Sequence, residues 1–286
     1  MISLSLLAQS SLLPDDGSIV AMRVFDVSFA YFDIAFLAIF VGLLIWQKKY
    51  MTLLIGFLAG ILYTIVDFGV FYAAYNERKI LVNGVLQDPG MTFLILLWMS
   101  MSYGFTNFTW IWLWIQKDKH LFEWSLLILC WWLCGPMLMS KFTTGTVITT
   151  FRTTNSTHGG MAIMFFIGYL FAIMWNLKHK EKDHRINIPW ILTMGILVQF
   201  GWEAGLLLGG IRSDGRTTSQ KMMTMIVNSL IETNLGMPYI YMIFIAYSAK
   251  FTEKMKRRPT QMKFLDRLAE NNHEKVRSEE LTEYFN

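Results

Sequence analysis

The chain has 286 residues, of which 54% are hydrophobic and only 16% are charged, and its formal net charge is +4. Soluble domains carry about 25% charged residues, so this composition excludes a disordered chain and argues against an ordinary soluble globule. The small net charge argues against a nucleic-acid partner. Two cysteines, Cys130 and Cys134, are too few for a disulfide framework.

The charged residues form short clusters between apolar runs of about 20 residues, the length that a helix needs to cross the hydrocarbon core of a membrane. The predicted fold class is therefore all-α, a polytopic membrane protein with seven transmembrane helices. In chain order the predicted spans are Val27–Trp46, Thr52–Tyr75, Met91–Ile115, Leu121–Met139, Gly159–Asn176, Pro189–Leu208 and Met222–Ser248. They form a transmembrane domain over residues 27–248. It lies between an N-terminal segment, residues 1–26, that could rest at the membrane interface, and a charged tail, residues 249–286.

Lysines and arginines set the predicted orientation of these spans. The loops after the first, third and fifth spans contain Lys48, Lys117 and Lys178 with further basic neighbours, and the tail is also rich in basic residues. The positive-inside rule places this side in the cytoplasm. We therefore expect an outside or lumenal N-terminus and a cytoplasmic C-terminus, in the endoplasmic reticulum membrane if the source is eukaryotic.

Five carboxyl groups lie inside the predicted spans, where an ionisable side chain costs about 2.5–3.5 kcal/mol at the helix centre. Glu123 lies close to the inner interface beside Lys119 and His120 and is expected to be structural, and the other four lie deeper. They are Asp33, Asp67, Glu203 and Glu232, and the direction of each span places all four in the outer half of the membrane. No lysine or arginine lies within the spans beside them. Because desolvation and like-charge repulsion both raise carboxyl pKa values, at least one of the four is expected to be protonated. A neutral carboxylic acid in an apolar cavity can donate a proton.

Helical spacing indicates which side chains accompany the acid on the sixth span. Gln199 lies one turn before Glu203 on the same face. On another face, small residues recur at every fourth position, which predicts close packing against a neighbouring helix through Gly201, Gly205 and Gly209. The sixth span is therefore expected to pack by its glycines and to direct Gln199 and Glu203 elsewhere.

The seventh span places Asn228 and Tyr239 on the same face as Glu232. Several aromatic residues lie near the middle of spans rather than in the interfacial belts, among them Trp98, Tyr103 and Trp202. Aromatic faces stabilise cations. Acids combined with buried aromatic rings therefore suit a reaction that generates a carbocation by protonation.

Two short segments carry a family resemblance. Gln199-Phe200-Gly201-Trp202-Glu203 resembles the Asn-x-x-Trp-Glu element of the small integral-membrane terpene cyclases of fungal meroterpenoid and indole-diterpene pathways. The segment from Leu230 to Gly236, with its acidic residue Glu232, is similar to a later element of that family. The resemblance implies that Glu203 and Glu232 are an acid pair that protonates an epoxide or alkene. A second likeness, to the emopamil-binding sterol isomerases, implies the same chemistry.

The predicted function is that of a membrane enzyme that protonates an isoprenoid-type lipid and starts its cyclisation or isomerisation. The expected catalytic residues are Glu203, Glu232 and Asp67, and the expected substrate-binding residues are Trp202, Gln199, Asn228, Tyr239, Trp98 and Tyr103. No metal or other cofactor is expected, since the chain has no HExxH motif and no glycine-rich phosphate loop. The oligomeric state stays open.

Two alternatives use the same carboxyl groups differently. A proton- or cation-coupled transporter would relay ions along them and would need a polar path to the inner side. The third span offers such a path only Ser100, Ser102, Thr106, Asn107 and Thr109. In a non-catalytic seven-helix receptor or scaffold, the acids would only join helices.

Overall fold

The computed structural model of the protein describes residues 20–153, 156–179, 185–212 and 218–255. Most of the expected N-terminal segment, residues 1–19, and most of the expected tail, residues 256–286, lie outside the described residues.

Seven helices dominate the described part of the chain. They are α1 (Ser28–Trp46), α2 (Tyr50–Thr64, continued by a π-helix over Ile65–Ala74), α3 (Pro89–Ile115), α4 (Leu121–Lys141), α5 (Ser156–Lys178), α6 (Ile188–Leu208) and α7 (Thr218–Met255). Each coincides with one of the seven predicted spans. By length and composition, α1, α2 with its π-helical continuation, α4, α5 and α6 can each cross a membrane. The described helices are thus compatible with a multi-pass membrane protein.

The helices pack around α3, which is buried on all its faces over one stretch. Every residue from Ser102 to Leu113 is buried, and α2 and α4 both pack against this helix. The side chain of Asp88 caps its N-terminus by accepting hydrogen bonds from the backbone N–H groups of Gly90 and Met91. The helix with the most buried polar side chains is therefore shielded by its neighbours.

The expectation of an all-α fold is incomplete, because a four-stranded antiparallel sheet covers one end of the bundle. Its strands are β1 (Val20–Asp26), β2 (Arg78–Val82), β3 (Val85–Leu86) and β4 (Val147–Thr153), in the spatial order β1-β4-β2-β3. They come from segments that were expected to be an N-terminal segment and outer loops. Since these segments precede α1 or connect α2 to α3 and α4 to α5, they all meet at the same end.

The register of the sheet decides which side chains face the bundle. Arg23 lies opposite Thr150, and Arg152 lies opposite both Ala21 and Arg78. Side chains alternate between the two faces of a strand, so these residues share one face. That face also adds Phe25, Ile80 and Ile148 to the main core, while the other face forms a small cluster of Met22, Leu81 and Phe151.

Two local features fix the sheet in place. Asn83 and Gly84 both have positive φ, 50° and 80°, as the tight turn between β2 and β3 requires. The carboxylate of Asp26, at the end of β1, accepts hydrogen bonds from the backbone N–H groups of Ser28 (2.9 Å) and Thr144 (3.0 Å). Burial raises the pKa of Asp26, but these hydrogen bonds outweigh it and bring the pKa down to about 2.

The glycine stripe on α6 packs against α4. A Cβ atom added at Gly205 would lie 2.8 Å from the backbone oxygen of Trp132, and one added at Gly209 would clash with the ring of Pro136. The helices approach this closely only because the side chains are absent. Gln199 and Glu203 are buried on a different side of α6, as expected.

Replacement of Gly205 by alanine is expected to destabilise the protein by about 1–3 kcal/mol, the usual cost of overpacking a tight contact. Gly42→Ala is the matched control, because a Cβ at Gly42 on α1 would meet nothing within 4 Å. The measurement is thermal unfolding of both purified variants in the same detergent. Equal melting temperatures for the two variants would contradict the close α4–α6 packing.

Candidate functional site

Three of the four predicted intramembrane acids meet beneath the sheet. Asp67 comes from the π-helical part of α2, Glu203 from α6 and Glu232 from α7. Glu203 is 1% exposed and Glu232 is 7% exposed. Their charge is therefore hidden from solvent and has to be compensated inside the protein.

Glu203 forms a two-pronged ion pair with Arg212, which follows α6. The Nε atom of Arg212 donates a hydrogen bond of 2.6 Å to one carboxylate oxygen of Glu203, and its Nη2 atom donates another of 2.6 Å to the other oxygen. Asn228 on α7 donates a further hydrogen bond of 3.2 Å to the same carboxylate. This parallel arrangement is the strong form of the arginine–carboxylate interaction.

Glu232 is held by an ion pair with Arg152 of β4. Burial lowers the pKa of Arg152, but the charges of Glu232 and Asp67, together with the hydrogen bond to Glu232, outweigh burial and raise the pKa above its ordinary value. The amide nitrogen of Gln199 donates hydrogen bonds to Glu232 (3.1 Å) and to Glu203 (3.4 Å). The side chain of Gln199 thus bridges Glu203 and Glu232, the two acids that the family resemblance pairs.

Two hydroxyl groups complete this network, one from Tyr103 on α3 and one from Thr233 on α7. Tyr103 donates a hydrogen bond to the amide oxygen of Gln199, and the hydroxyl of Thr233 donates another of 2.6 Å to the same oxygen. With both hydroxyls on its oxygen, Gln199 is fixed with its amide nitrogen towards the carboxylates. The orientation of the bridge is therefore set by its partners.

Asp67 is placed by the π-helix, a form that is rare and often found at functional sites. Its carboxylate accepts a hydrogen bond of 3.0 Å from Ser100 on α3 and lies 3.5 Å from Nη2 of Arg78 on β2. Burial lowers the pKa of Arg78. The third carboxylate therefore also has an arginine partner.

These contacts correct one expectation from the sequence. The acids at this site were predicted to have no basic partner, yet Asp67, Glu203 and Glu232 each have an arginine. The partners come from the sheet and from the segment after α6, outside the apolar runs. Because an adjacent positive charge favours the ionised carboxyl group, the premise that at least one acid must be neutral does not apply to these three.

A fourth arginine stands beside the network without an acid of its own. The guanidinium group of Arg23 on β1 lies over the Trp202 ring, 5.9 Å from its centroid. It makes no hydrogen bond or ion pair with any other residue in the described ranges. Burial, followed by the nearby charge of Arg212, lowers the pKa of Arg23 to about 10, so it stays charged at neutral pH.

The arginines line one end of a cavity of about 810 Å³. Besides Arg23, Arg78, Arg152 and Arg212, its lining includes Asp67 and Glu232. Its walls are otherwise mainly apolar side chains of α2, α5 and α7, among them Leu58, Leu62, Val66, Met164, Leu235 and Ile243. The cavity therefore has one charged end and long apolar walls, within the volume range typical of sites for small organic ligands.

The structure brings most of the predicted site residues together, but not all of them line the cavity. Tyr103 and Tyr239 line it, and Tyr239 also donates a hydrogen bond of 2.9 Å to the Met164 carbonyl. Gln199, Asn228 and Glu203 form the network behind its charged end. Trp202 packs beside that network, with its ring 5.8 Å from that of Tyr103.

Trp98 lies elsewhere, in contact with the fourth acid. Its indole N–H donates a hydrogen bond of 2.9 Å to Asp33, and the indole of Trp131 donates another of 3.1 Å. Neither Trp98 nor Asp33 lines the cavity. The structure thus places Trp98 away from Trp202 and beside α1, whereas Tyr103, the other aromatic residue expected to act with Trp202, packs against it.

The four arginines are the residues that the sequence analysis missed, because they were counted only as loop charges. A local signal for them exists. In Ala21-Met22-Arg23 and in Thr150-Phe151-Arg152, the arginine lies two positions after a small or β-branched residue, with one large apolar residue between them. Such alternation is typical of a strand with one face buried. Which carboxylate each arginine meets depends on the sheet register and is not a local property.

Comparison of the chain with protein-family models, with curated proteins and with solved structures gives no match. Within the described residues, no group of three or more His, Cys, Asp or Glu side chains is arranged to hold a metal ion.

Proposed function

We propose that this chain is a multi-pass membrane protein that binds an elongated, isoprenoid-type lipid in the cavity beneath the sheet. The observation that supports this proposal is the shape of the cavity, which has long apolar walls and a single charged end. Such walls favour a hydrocarbon chain, because burying apolar surface contributes about 25 cal/mol per Å².

The wall formed by α2, α5 and α7 also suits entry from the membrane. Several of its side chains are about half exposed although they are apolar: Leu58 (53%), Leu62 (58%), Met164 (48%) and Ile243 (50%). In a membrane, this exposed surface faces lipid chains. A lipid can therefore reach the cavity from the side without passing through the sheet.

Leu62→Trp is expected to weaken lipid binding by about tenfold or more, since the larger ring fills the cavity. Ile61→Trp is the matched control, because Ile61 is the preceding residue, is 49% exposed and does not line the cavity. Binding of radiolabelled farnesol to the purified proteins in nanodiscs measures the difference. Wild-type affinity in both variants would contradict the proposed site.

We also propose that all seven helices cross the membrane, with the sheet on the outer or lumenal side. α3 can cross although it carries many polar side chains, because other helices surround it. Three of the arginines on the sheet side are buried, whereas Lys48 and Lys117 at the opposite end are exposed. The exposed positive charge supports a cytoplasmic location for that end, as the positive-inside rule requires.

Single cysteines test this orientation in a variant whose Cys130 and Cys134 are replaced by serine. In intact cells, Val85→Cys next to the hairpin turn is expected to react with a membrane-impermeant maleimide if the outer side is the cell exterior. In a microsomal preparation, with a lumenal outer side, it is expected to be protected. Lys117→Cys is expected to behave oppositely in each case. Reversed labelling of the two positions would overturn the orientation.

Acid-initiated cyclisation or isomerisation of the bound lipid is the second candidate function. It is favoured by the placement of Glu232 in the cavity wall and by the Gln199 bridge between Glu232 and Glu203. In this role Glu232 must take up a proton, which its ion pair with Arg152 opposes. The proton transfer would thus require this ion pair to open when the lipid binds.

Glu232→Gln is expected to reduce conversion of an epoxide- or alkene-bearing isoprenoid by about 100-fold or more, the usual contribution of a general acid. The near-isosteric change retains the packing and removes the proton. Glu123→Gln is the control, because this acid is half exposed in the first turn of α4. Product analysis by mass spectrometry measures the rate. Conversion at the wild-type rate by Glu232→Gln would exclude acid catalysis by this residue.

The structure gives less support to a transporter. The lining of the cavity includes none of the five polar side chains of α3 that were expected to continue a path inwards. All five are buried between helices instead. A binding site that opens to the side therefore describes the cavity better than a channel that continues along the bundle.

A further inference from the structure

We propose that the ligand of this cavity is an amphiphile whose head group carries one negative charge, such as a carboxylate, and that Arg23 is the residue that selects it. The inference rests on the proposed lipid site and adds the chemical class of its head group. The tail would lie along α2, α5 and α7, and the head group would meet the bundle face of the sheet.

The first argument is the balance of charge at the charged end of the cavity. Four arginines line this end, and three of them are already paired with Asp67, Glu203 and Glu232. Among the described residues, one guanidinium charge at the site is left without a carboxylate. Because an uncompensated charge in a largely apolar environment is costly, a ligand with a single negative charge would restore the balance.

The second argument is the number of hydrogen-bond donors that stay available. Arg23 has five N–H groups, and none of them is used by another residue in the described ranges. The buried Nε atoms of Arg78 and Arg152 also lack a partner there. A planar guanidinium group binds the two oxygens of a carboxylate, or two of a phosphate, through parallel hydrogen bonds. The charged end thus has guanidinium donors that no described residue uses, which suits an anionic group.

The third argument is the position of Arg23 relative to the helices. Its strand crosses the end of the bundle, and its guanidinium group lies over the Trp202 ring. The aromatic ring holds this side chain beside the cavity without neutralising it. Arg23 is therefore a preorganised charge at the boundary between the polar end and the apolar walls.

The experiment compares two probes that share a hydrocarbon tail and differ in head group. Binding of farnesoic acid and of farnesol to the full-length protein in neutral nanodiscs is measured at pH 7.5 for the wild type and three variants. We expect the wild type to prefer the acid by about 10- to 100-fold, the range for a hydrogen bond to a charged group. Arg23→Gln is expected to lose most of this preference, which is the ratio of the two affinities measured in the same variant.

Two further variants separate the charge of Arg23 from its structural role. Arg23→Lys retains the charge and is expected to keep at least part of the preference. Arg185→Gln makes the same chemical change at an exposed arginine between α5 and α6, and wild-type behaviour is expected. If Arg23→Gln no longer binds farnesol, retention of the preference by Arg23→Lys supports the proposal, and its loss counts against the proposal.

The outcomes distinguish this inference from the lipid site on which it depends. Equal wild-type affinity for farnesoic acid and farnesol would overturn the head-group proposal and leave the lipid site intact. Binding of neither probe would remove both proposals. If acetate alone displaced farnesoic acid at comparable concentrations, the site would bind small anions, and the amphiphile would be excluded.

Discussion

Ion pairs between arginines of the sheet and carboxylates of the helices hold the two parts of this molecule together. Arg152 of β4 forms an ion pair with Glu232, and Arg78 of β2 forms one with Asp67. Either set of charges alone would be buried without compensation, and removing one partner of a buried ion pair typically costs about 3–5 kcal/mol. The strands and the polar parts of α2 and α7 are therefore stable only in each other's presence.

The cavity follows from the same arrangement. The bundle face of the sheet carries arginines beside the apolar side chains that join the core, and the carboxylate partners of Arg78 and Arg152 line the cavity with them. The π-helix in α2 brings Asp67 to this level, and Gln199 joins the remaining two acids. A fold that only had to bury its helices would need neither the charges nor the space. We therefore interpret the polar end as part of the proposed lipid site.

How much of this could be predicted depends on how local each feature is. The helices follow from long apolar runs, and helical spacing places Gln199 with Glu203 on one helix and Asn228 with Glu232 on another. The sheet does not follow in the same way, since its short strands carry arginines and look like charged loops. Only Asn83-Gly84 and the alternating patterns around Arg23 and Arg152 indicate strands. The pairing of arginines with acids depends on contacts between segments far apart in the chain, which periodicity cannot reveal.

For the proposed lipid site, the half-exposed apolar wall of the cavity determines which concentration controls binding. That concentration is the one in the bilayer, not the one in water. A ligand that enters between α2 and α5 comes from the bilayer, so the quantity that governs occupancy is its mole fraction among the lipids. Two amphiphiles of equal intrinsic affinity would then differ in apparent affinity by their partition coefficients. Adding empty vesicles would dilute the ligand and empty the site, although the total amounts of protein and ligand stay unchanged.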